Sequence, residues 1–374
     1  MKQKVIVAMS GGVDSSVAAF LMKKKGFDVT GVFLKCWSDS KDFSGECTWK
    51  NERRSAQKVC EKLKIPLITV DAEKEYKKYV VNEMFNDYKK GITPNPDILC
   101  NETVKFPFLF EEAKKLGANN IVTGHFVRIK KFFNGKYFLQ RGSDESKDQS
   151  YFLYRLKESD LKKLIFPIGK YAKPEVRKIA KKAGFENHEK KSTVGICFIG
   201  KTNMKDFLKT KIKPRKGKII DPNGNVVGYH DGIYYYTIGQ KIGSKIDLEI
   251  DKHSDDKRKL SKWYVAKKDI EKNILVVAPE GHKILLRKEM ALNDFHLITE
   301  DPNKIKNRSE RKGLKVYSRI RHVGELIPSR LKYNSQKKRF ELFLSRAITG
   351  VSNGQAAVLY KNRNVFGGGT ITDL

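Results

Sequence analysis

A glycine-rich turn close to the start of the chain constrains the fold more than any other feature. Its sequence is SGGVDSS, residues 10–16, and it lies between an apolar strand over residues 4–9 and a helix over residues 15–25. Adjacent glycines let the backbone come close to an anion, and a helix that begins directly after them adds its unpaired N–H groups and the positive end of its dipole. The sequence therefore predicts a phosphate-binding loop between a strand and a helix.

The side chains of this loop indicate which class of phosphate-binding site it forms. Ser10, Ser15 and Ser16 offer hydroxyl donors, and Asp14 offers a carboxylate that suits Mg²⁺ held against phosphates. The loop has no lysine of the G-x-x-x-x-G-K-[ST] pattern, which disfavours kinases and GTPases of that type. We therefore predict a magnesium–nucleotide site of a different class.

Strands and helices alternate along the first half of the chain. Helices are predicted at 15–25, about 52–63 and 111–116, and apolar strands at 4–9, 28–34, 66–70 and 120–124. This alternation is typical of a doubly wound parallel sheet with helices on both faces. Such sheets bind ligands at the carboxyl ends of their strands, where the glycine-rich loop lies.

After about residue 207 the pattern becomes mostly β. A basic stretch, residues 209–218, precedes short β-type runs at 217–229, 234–238, 263–266, 273–278, 316–320, 340–345 and 356–360. Within the first run, Asn223-Gly224 predicts a hairpin turn. We therefore predict an α/β domain over residues 1–207, a small central domain over 208–280 and a β-rich, barrel-like C-terminal domain over 281–374.

The charge of the chain is strongly unbalanced. Among 374 residues there are 76 Lys and Arg against 43 Asp and Glu, a net charge of +33. This charge attracts polyanions, and binding to a phosphate backbone would weaken steeply with salt. A lysine-rich proteome would produce the same excess, and charge alone does not choose among RNA, DNA and anionic membranes.

The start of the chain and the cysteines indicate the compartment. Gly11, Gly12 and Asp14 interrupt any apolar leader within residues 1–22, and no stretch approaches the ~20 apolar residues that cross a bilayer. We therefore expect a cytoplasmic protein without membrane association. Five cysteines without a C-x-x-C pair predict neither a disulfide scaffold nor a zinc finger; they are Cys36, Cys47, Cys60, Cys100 and Cys197.

Two of these cysteines lie in distinctive surroundings. Cys100 ends the stretch TPNPDILCN, residues 93–101, in which two prolines favour an extended approach, and Cys197 lies in STVGICFIG, residues 192–200. A cysteine acts as a nucleophile only as its thiolate, which nearby cations favour. Residue context alone leaves both a nucleophilic and a structural role open for each of them.

Several motifs together resemble one family. The loop at residues 10–16 resembles that of the PP-loop ATP pyrophosphatases, which split ATP between its α and β phosphates and place AMP on an oxygen of the substrate. TPNPDILCN and GICFIG occur with TGH at 123–125, KDQSYFL at 147–153, YTIGQ at 236–240 and GQAA at 354–357. In this order, and over essentially the whole chain, they resemble the tRNA-specific 2-thiouridylases.

The resemblance implies a catalytic site with ATP and Mg²⁺. Cys100 resembles the nucleophile of the family, Cys197 the cysteine that carries a persulfide, and Asp14 the ligand of the magnesium. The ATP site implied by the resemblance comprises Ala8, Met9, Ser10, Gly11, Gly12, Val13, Asp14, Ser15, Leu34 and Gly124.

The resemblance also implies an RNA site and a reaction. Asn95, Pro96 and Asp97 would contact the target base; the implied tRNA contacts are His125, Arg128, Lys147, Asp148, Gln149, Arg321, His322 and Gln355. The reaction would thiolate the wobble uridine of tRNAs for Lys, Glu and Gln, with the anticodon arm gripped by the central and C-terminal domains. The sulfur would come from a donor protein such as a cysteine desulfurase or a sulfur-relay protein, and a monomer is expected.

Three alternatives stay open at this stage. Other PP-loop enzymes, of the argininosuccinate synthetase or amidotransferase type, share the ATP loop and need no cysteine pair. A non-catalytic RNA-binding protein would carry a vestigial loop. In the third alternative the protein is still a 2-thiouridylase, but Asp97, Cys100 and Cys197 hold an iron–sulfur cluster.

Overall fold

The computed structural model describes residues 2–38, 48–190, 203–242 and 262–374. In chain order its strands are β1 Lys4–Ala8, β2 Asp28–Lys35, β3 Leu67–Asp71, β4 Asn120–Val122, β5 Val127–Lys131, β6 Tyr137–Arg141, β7 Leu164–Ile165, β8 Gly217–Ile220, β9 Val226–His230, β10 Lys241–Ile242, β11 Trp263–Asp269, β12 Ile274–Pro279, β13 Leu286–Leu297, β14 Leu314–Arg319, β15 Ile327–Asn334, β16 Arg339–Thr349, β17 Ala356–Lys361 and β18 Asn364–Thr372.

The helices follow the same order. The α-helices are α1 Val13–Lys24, α2 Thr48–Leu63, α3 Glu73–Tyr76, α4 Asn82–Lys89, α5 Pro96–Cys100, α6 Phe106–Lys115, α7 Glu158–Leu161, α8 Lys173–Lys182, α9 Met204–Lys209 and α10 Pro302–Lys312. Single π-helical turns lie at Lys77–Val81 and Asn101–Lys105, and 3₁₀ turns at Ser150–Leu153, Glu186–Glu189, Ile233–Tyr235 and Lys283–Leu285. Within the described ranges no helix is long and apolar enough to span a membrane.

The first half forms the predicted parallel sheet. The strand order is β3-β2-β1-β4-β7, and every neighbouring pair runs parallel. Alternate residues of these strands belong to two different apolar cores: Ile6 and Val32 pack on one face, Val7 and Phe33 on the other. Because both faces are covered by helices, the strands are apolar on both sides. The prediction of a doubly wound α/β fold is confirmed.

One hairpin of this first half belongs to a different sheet. Strands β5 and β6 pair with each other antiparallel, and β6 meets β18 at Gln140 and Asn364. The alternating pattern of strands and helices did not predict this hairpin. The chain therefore leaves the parallel sheet after β4, adds two strands to the C-terminal sheet, and returns to form β7.

A second sheet, with order β10-β11-β12-β8-β9, follows α9. Its β8–β9 hairpin confirms the turn predicted at Asn223-Gly224, and Gly224 adopts a φ of 92°. The predicted β run at 234–238 is wrong, because Ile233–Tyr235 forms a 3₁₀ turn and the next strand begins only at Lys241. The three aromatic residues Tyr234 to Tyr236 resemble a strand in composition, yet Gly232 before them opens a turn.

The C-terminal strands close into a barrel. Their order is β13-β16-β15-β14-β17-β18, and β13 pairs with both β16 and β18, which joins the two ends of the sheet. Leu292, Leu331, Leu342 and Leu359 fill its interior. The barrel-like C-terminal domain is confirmed, whereas the boundaries after residues 207 and 280 stay a prediction.

Candidate active site

The phosphate loop occupies the carboxyl end of β1, where α1 begins at Val13. Gly11 has a φ of 74°, in the left-handed region that favours glycine. A Cβ atom on Gly11 would lie 2.2 Å from the backbone oxygen of Glu52 in α2. The first glycine of the motif is therefore required by the backbone conformation and by the close approach of α2.

Hydrogen bonds fix the carbonyl oxygens of the loop. The oxygen of Gly11 accepts from the Ser55 hydroxyl at 2.8 Å, the Asn187 amide at 3.1 Å and the Lys190 ammonium at 3.3 Å. The Ser15 hydroxyl donates to the oxygen of Gly12 at 3.0 Å. With the carbonyls tied back into the protein, the N–H groups at the start of α1 are left for an anion.

The remaining predicted nucleotide residues lie at the same edge of the sheet. The N–H of Met9 donates to the oxygen of Val32 at 2.8 Å, which holds the start of the loop against β2. Gly124 follows β4, and a Cβ there would lie 2.6 Å from the nitrogen of Ser15. Leu34, near the end of β2, is buried. Ala8 ends β1, Ser10 is exposed, and Val13 is buried in the core beneath α1.

Asp14 forms an ion pair that the sequence did not indicate. Lys173 Nζ lies 2.5 Å from Asp14 Oδ1 and 2.7 Å from Oδ2. Burial raises the pKa of Asp14, while the charges of Lys173, Arg177 and Lys147 oppose that rise. Lys173 is the first residue of α8, a position where a cation opposes the helix dipole. That unusual placement is the one local feature that could have singled it out.

The donor set near the loop fits Mg²⁺ when it arrives with a nucleotide. Mg²⁺ is usually held by one or two carboxylates together with substrate phosphates and water. Asp14 supplies one carboxylate beside the free N–H groups of α1. Among the described residues no three His, Cys, Asp or Glu side chains gather as a metal cluster. Asp14 therefore fits the predicted role of magnesium ligand, with phosphates completing the site, and this role stays a prediction.

Cys100 lies on a short helix whose start is fixed by the predicted motif. Asn95 caps α5 by accepting from the N–H of Ile98 at 3.2 Å, and Pro96 takes the first helical position. The chain is extended only as far as Asn95, so the second proline begins a helix and does not continue the extended approach. Cys100 ends this helix and is buried, and Asp97 lies in its first turn, partly buried.

The C-terminal barrel holds the loop before Cys100. Gln355 Nε2 donates to the oxygens of Thr93 and Pro94 at 3.3 and 3.2 Å, and its Oε1 lies 3.5 Å from Asn95 Nδ2. The Ser352 hydroxyl donates to Thr93 Oγ1 at 3.0 Å. The predicted tRNA contact Gln355 thus lies directly against the predicted target-base residues.

His125 connects the nucleotide edge to the segment that follows Cys100. Its ring stacks on Phe106 with 6.1 Å between centroids, and its Nδ1 lies 2.6 Å from Thr123 Oγ1. Burial, with a smaller effect of Lys105, lowers the pKa of His125 to about 3. His125 is therefore neutral at physiological pH, and an RNA contact there would be a hydrogen bond or a ring contact.

Asp148 is enclosed by protein donors. Its side chain is fully buried, and its Oδ2 accepts from Arg319 at 2.8 Å and from Arg141 at 3.4 Å. Its Oδ1 accepts from the N–H groups of Gly142 and Ser150, both at 3.1 Å. Since Arg319 belongs to β14, this carboxylate joins the loop after β6 to the barrel. A tRNA contact through Asp148 would require these bonds to open.

The other predicted tRNA residues differ in exposure. Lys147 is exposed and close enough to Asp14 to influence its pKa, which places it beside the phosphate loop. Gln149 accepts from the N–H of Phe126 at 2.9 Å, and Arg128 donates to Gln140 at 3.3 Å. Arg321 is exposed; the ring of His322 lies 4.5 Å from that of Phe152, centroid to centroid.

The remaining cysteines separate into two groups. Cys36 and Cys60 are buried, and burial raises the pKa of Cys60 to about 11, so Cys60 is a poor nucleophile. Cys47 and Cys197 lie outside the described residues. The persulfide role of Cys197, its partnership with Cys100 and the cluster alternative therefore stay predictions.

The fold and the loop define the class: an α/β phosphate-loop domain extended by two β domains. Three consecutive family models match the chain: a tRNA methyl transferase HUP domain over residues 3–201, a tRNA methyl transferase PRC-barrel domain over 205–279 and an aminomethyltransferase beta-barrel domain over 288–371. Curated relatives align along nearly the entire chain, and the chain belongs to the family of tRNA-specific 2-thiouridylases, MnmA.

Three such relatives illustrate the match, all called tRNA-specific 2-thiouridylase MnmA. The protein of Pediococcus pentosaceus is 37% identical, with 99% of this chain and 95% of the relative aligned. The protein of Lactobacillus helveticus is 39% identical with the same coverage. That of Buchnera aphidicola is 40% identical over 99% of this chain and 96% of the relative.

Proposed function

We propose that this protein is a tRNA-uridine 2-sulfurtransferase that activates the wobble uridine with Mg·ATP and replaces its oxygen at carbon 2 with sulfur. One observation carries the proposal: two neighbouring residues, Gly124 and His125, link the phosphate loop to the helix that follows the Cys100 segment. Gly124 lies against the start of α1, the next residue His125 stacks on Phe106, and Phe106 begins the helix that follows the Cys100 segment. ATP bound at the phosphate loop and the thiol of Cys100 can thus react at the same uridine.

The first step activates a poor leaving group. Oxygen 2 of the uridine attacks the α-phosphorus of ATP, the bond to the bridging oxygen of the β-phosphate breaks, and pyrophosphate leaves. AMP now occupies oxygen 2. The N–H groups at the start of α1 stabilise negative charge on the phosphates. Asp14 would hold Mg²⁺ that arrives with the nucleotide, and the ion would supply further positive charge for the departing pyrophosphate.

The second step brings in sulfur from a persulfide on Cys197, loaded by a donor protein. In one route the Cys100 thiolate attacks the Cys197 sulfur, a disulfide between them forms, and the released hydrosulfide attacks carbon 2 as AMP departs. A thiol reductant then returns two electrons to the cysteines. In the other route the terminal persulfide sulfur attacks carbon 2 directly and AMP departs. The Cys100 thiolate then attacks the Cys197 sulfur, which breaks the S–S bond, leaves the sulfur on carbon 2 and forms the same disulfide for the thiol reductant to open.

Two features support binding of tRNA: the positive charge of the chain and the position of the loop at 95–97, which the target base has to reach. The net charge of +33 favours association with the phosphate backbone of an anticodon arm in the cytoplasm. A uridine stacked in its loop presents no free carbon 2, so the base has to be flipped toward the loop at 95–97. Gln355 supports this loop, and the exposed residues Lys147 and Arg321 are candidate backbone contacts.

A tRNA thiolation assay tests the proposal. Thiolated tRNA migrates more slowly in a mercury-containing gel, and the shift should require Mg·ATP and a persulfide donor. Cys100→Ser should lower thiolation by at least about 1,000-fold, because the nucleophile is lost, while tRNA binding stays close to that of the wild type.

Cys60→Ala is the matched control, since Cys60 is also buried yet its thiol has a raised pKa. It should keep the activity. Wild-type thiolation by Cys100→Ser would overturn the role of Cys100. Pyrophosphate release on a different acceptor, without any thiolation, would assign the chain to the PP-loop enzymes that use no sulfur.

A further inference from the structure

We propose that Lys173 is a phosphate-binding residue, the lysine that the glycine-rich loop itself lacks, and that its ammonium exchanges Asp14 for phosphate oxygens when ATP binds. This inference rests on the proposed function, because it takes ATP as the ligand of the loop. Lys173 lies 159 residues from Asp14 in the chain, so only the fold brings the two together.

The position of Lys173 suits a phosphate ligand. Asp14 is the second residue of α1, so an ammonium within 2.7 Å of both its oxygens lies at the positive end of that helix. A cation there is repelled by the free N–H groups and is favoured only with an anion beside it. In this structure the anion is Asp14. A phosphate at the loop would be a second one.

The stem of Lys173 is held in place by its surroundings. The residue is 8% exposed, and Nζ lies 5.4 Å from the centroid of the Phe126 ring. Its backbone N–H donates to Asp144 Oδ2 at 2.9 Å. Since the backbone and the stem are fixed, the ammonium can change partner only within the space beside the loop.

The positively charged side chains around Asp14 outnumber the carboxylates that neutralise them. Lys173, Arg177 and Lys147 all act on its pKa in the same direction. The guanidinium of Arg177 donates to the backbone oxygens of His188 and Lys190, at 2.6 and 3.0 Å, so these contacts leave its charge uncompensated. Asp144, which accepts from the backbone N–H of Lys173, is a second carboxylate nearby. Three cations therefore face two carboxylates, which leaves net positive charge for a bound triphosphate.

The two partners are expected to separate when the nucleotide binds. Both carboxylate oxygens of Asp14 accept from Lys173, so a metal ion bound to Asp14 would lie next to the ammonium and be repelled by its charge. The released ammonium keeps three donors and can bind phosphate oxygens, as lysine does in other phosphate sites. There it stabilises the charge that develops as pyrophosphate leaves.

The experiment measures equilibrium binding of ATP without tRNA, with and without Mg²⁺. Lys173→Met should weaken ATP binding by about 10- to 100-fold, the range of a hydrogen bond between charged groups. Lys173→Arg should lose less, because it keeps the charge. Lys170→Met, an exposed lysine three residues earlier, is the matched control and should bind as the wild type does.

Asp14→Asn separates the proposal from a purely structural ion pair. If Lys173 is a phosphate ligand held back by Asp14, this variant should bind ATP without Mg²⁺ at least as tightly as the wild type and lose the gain from Mg²⁺. A structural pair predicts instead that Asp14→Asn and Lys173→Met weaken ATP binding equally, in step with a lower Tm. That result would overturn the inference.

Unchanged ATP binding by Lys173→Met and Lys173→Arg would overturn it as well. Should Lys173→Met fail to fold, Lys173→Arg and Asp14→Asn still decide the question. A wild-type protein that binds no ATP at all would contradict the proposed function itself, so the two failures are distinguishable.

Discussion

The phosphate loop and the loop before Cys100 are both dense sequence motifs, yet they are held in different ways. The phosphate loop takes its backbone shape from its own glycines and from α2 beside it. The loop at 93–97 is held by Gln355 and Ser352 of the barrel, and Gln355 is 262 residues from Thr93. One motif thus determines its own backbone conformation, whereas the other depends on hydrogen bonds from a domain far along the chain.

Two glycine substitutions give the largest expected effects and test this difference. In Gly11→Ala the new Cβ would lie 2.2 Å from the backbone of Glu52, and in Gly354→Ala it would lie 2.2 Å from Ile92 Cγ2. We expect Gly11→Ala to weaken ATP binding by more than about 100-fold, because the loop has to shift. Gly354→Ala should leave ATP binding intact and lower tRNA thiolation about tenfold or more, measured by the mercury gel.

Gly26→Ala is the control for both variants. Gly26 has a φ of 85°, yet nothing lies within 4 Å of a Cβ at that position. It should therefore show only the backbone strain of about 1 kcal/mol and normal activity. Equal loss of ATP binding in Gly11→Ala and Gly354→Ala would show that the two loops form one cooperative unit and would end the distinction.

The next effect concerns Asp148, the carboxylate that joins the loop after β6, a part of the N-terminal half, to the barrel that holds the loop at 93–97. Asp148→Asn removes the charge that Arg141 and Arg319 share in a buried position, and we expect a loss of about 3–5 kcal/mol in the free energy of unfolding. Urea denaturation measures it. Because Asp148 links the loop beside Lys147 to β14, both ATP binding and thiolation should weaken in the same variant.

Asp373→Asn is the matched control, since Asp373 also pairs with an arginine, Arg287, but its side chain is 78% exposed. Its cost should stay below about 1 kcal/mol. Similar small losses for the two variants would mean that the buried arginines are satisfied by other acceptors and that Asp148 does not join the regions.

The last effect is absent at neutral pH and develops only in acid. The pKa of His125 falls from 6.5 to about 3 in the folded protein because of burial, so below about pH 6.5 the unfolded chain binds a proton that the folded chain does not. Stability should therefore fall as the pH decreases from about 6.5 toward 3, by up to about 1.4 kcal/mol per pH unit from this group. His125→Gln should show a shallower decline in the same denaturation series.

The comparison of the two proteins at pH 8 serves as the reference, because His125 is then neutral in both states. If the difference between wild type and His125→Gln stays constant from pH 8 to pH 4, the histidine is not shielded from the proton. The contact with Phe106 would then not keep the ring of His125 away from solvent.

The sequence by itself determined the parallel sheet and the phosphate loop, whereas the segment before Cys100, predicted to be extended through its second proline, instead begins a helix capped by Asn95. The sheet and the loop depend on hydrophobic periodicity and glycine geometry, both of which act over a few neighbouring residues. The β5–β6 hairpin has a local signal, Asn134-Gly135, which the alternation of strands and helices around it obscured. Its attachment to β18 could not be predicted, because that strand lies more than 200 residues further along the chain.

Only the tertiary structure decided the partners of the site residues. It paired Asp14 with Lys173, placed Gln355 on the loop before Cys100, and enclosed Asp148 between two arginines of different strands. Lysines, glutamines and aspartates are common on any protein surface, and their spacing in the sequence does not predict which of them will come into contact in the fold. Burial and distance, which give such residues their chemistry, exist only once the chain has closed on itself.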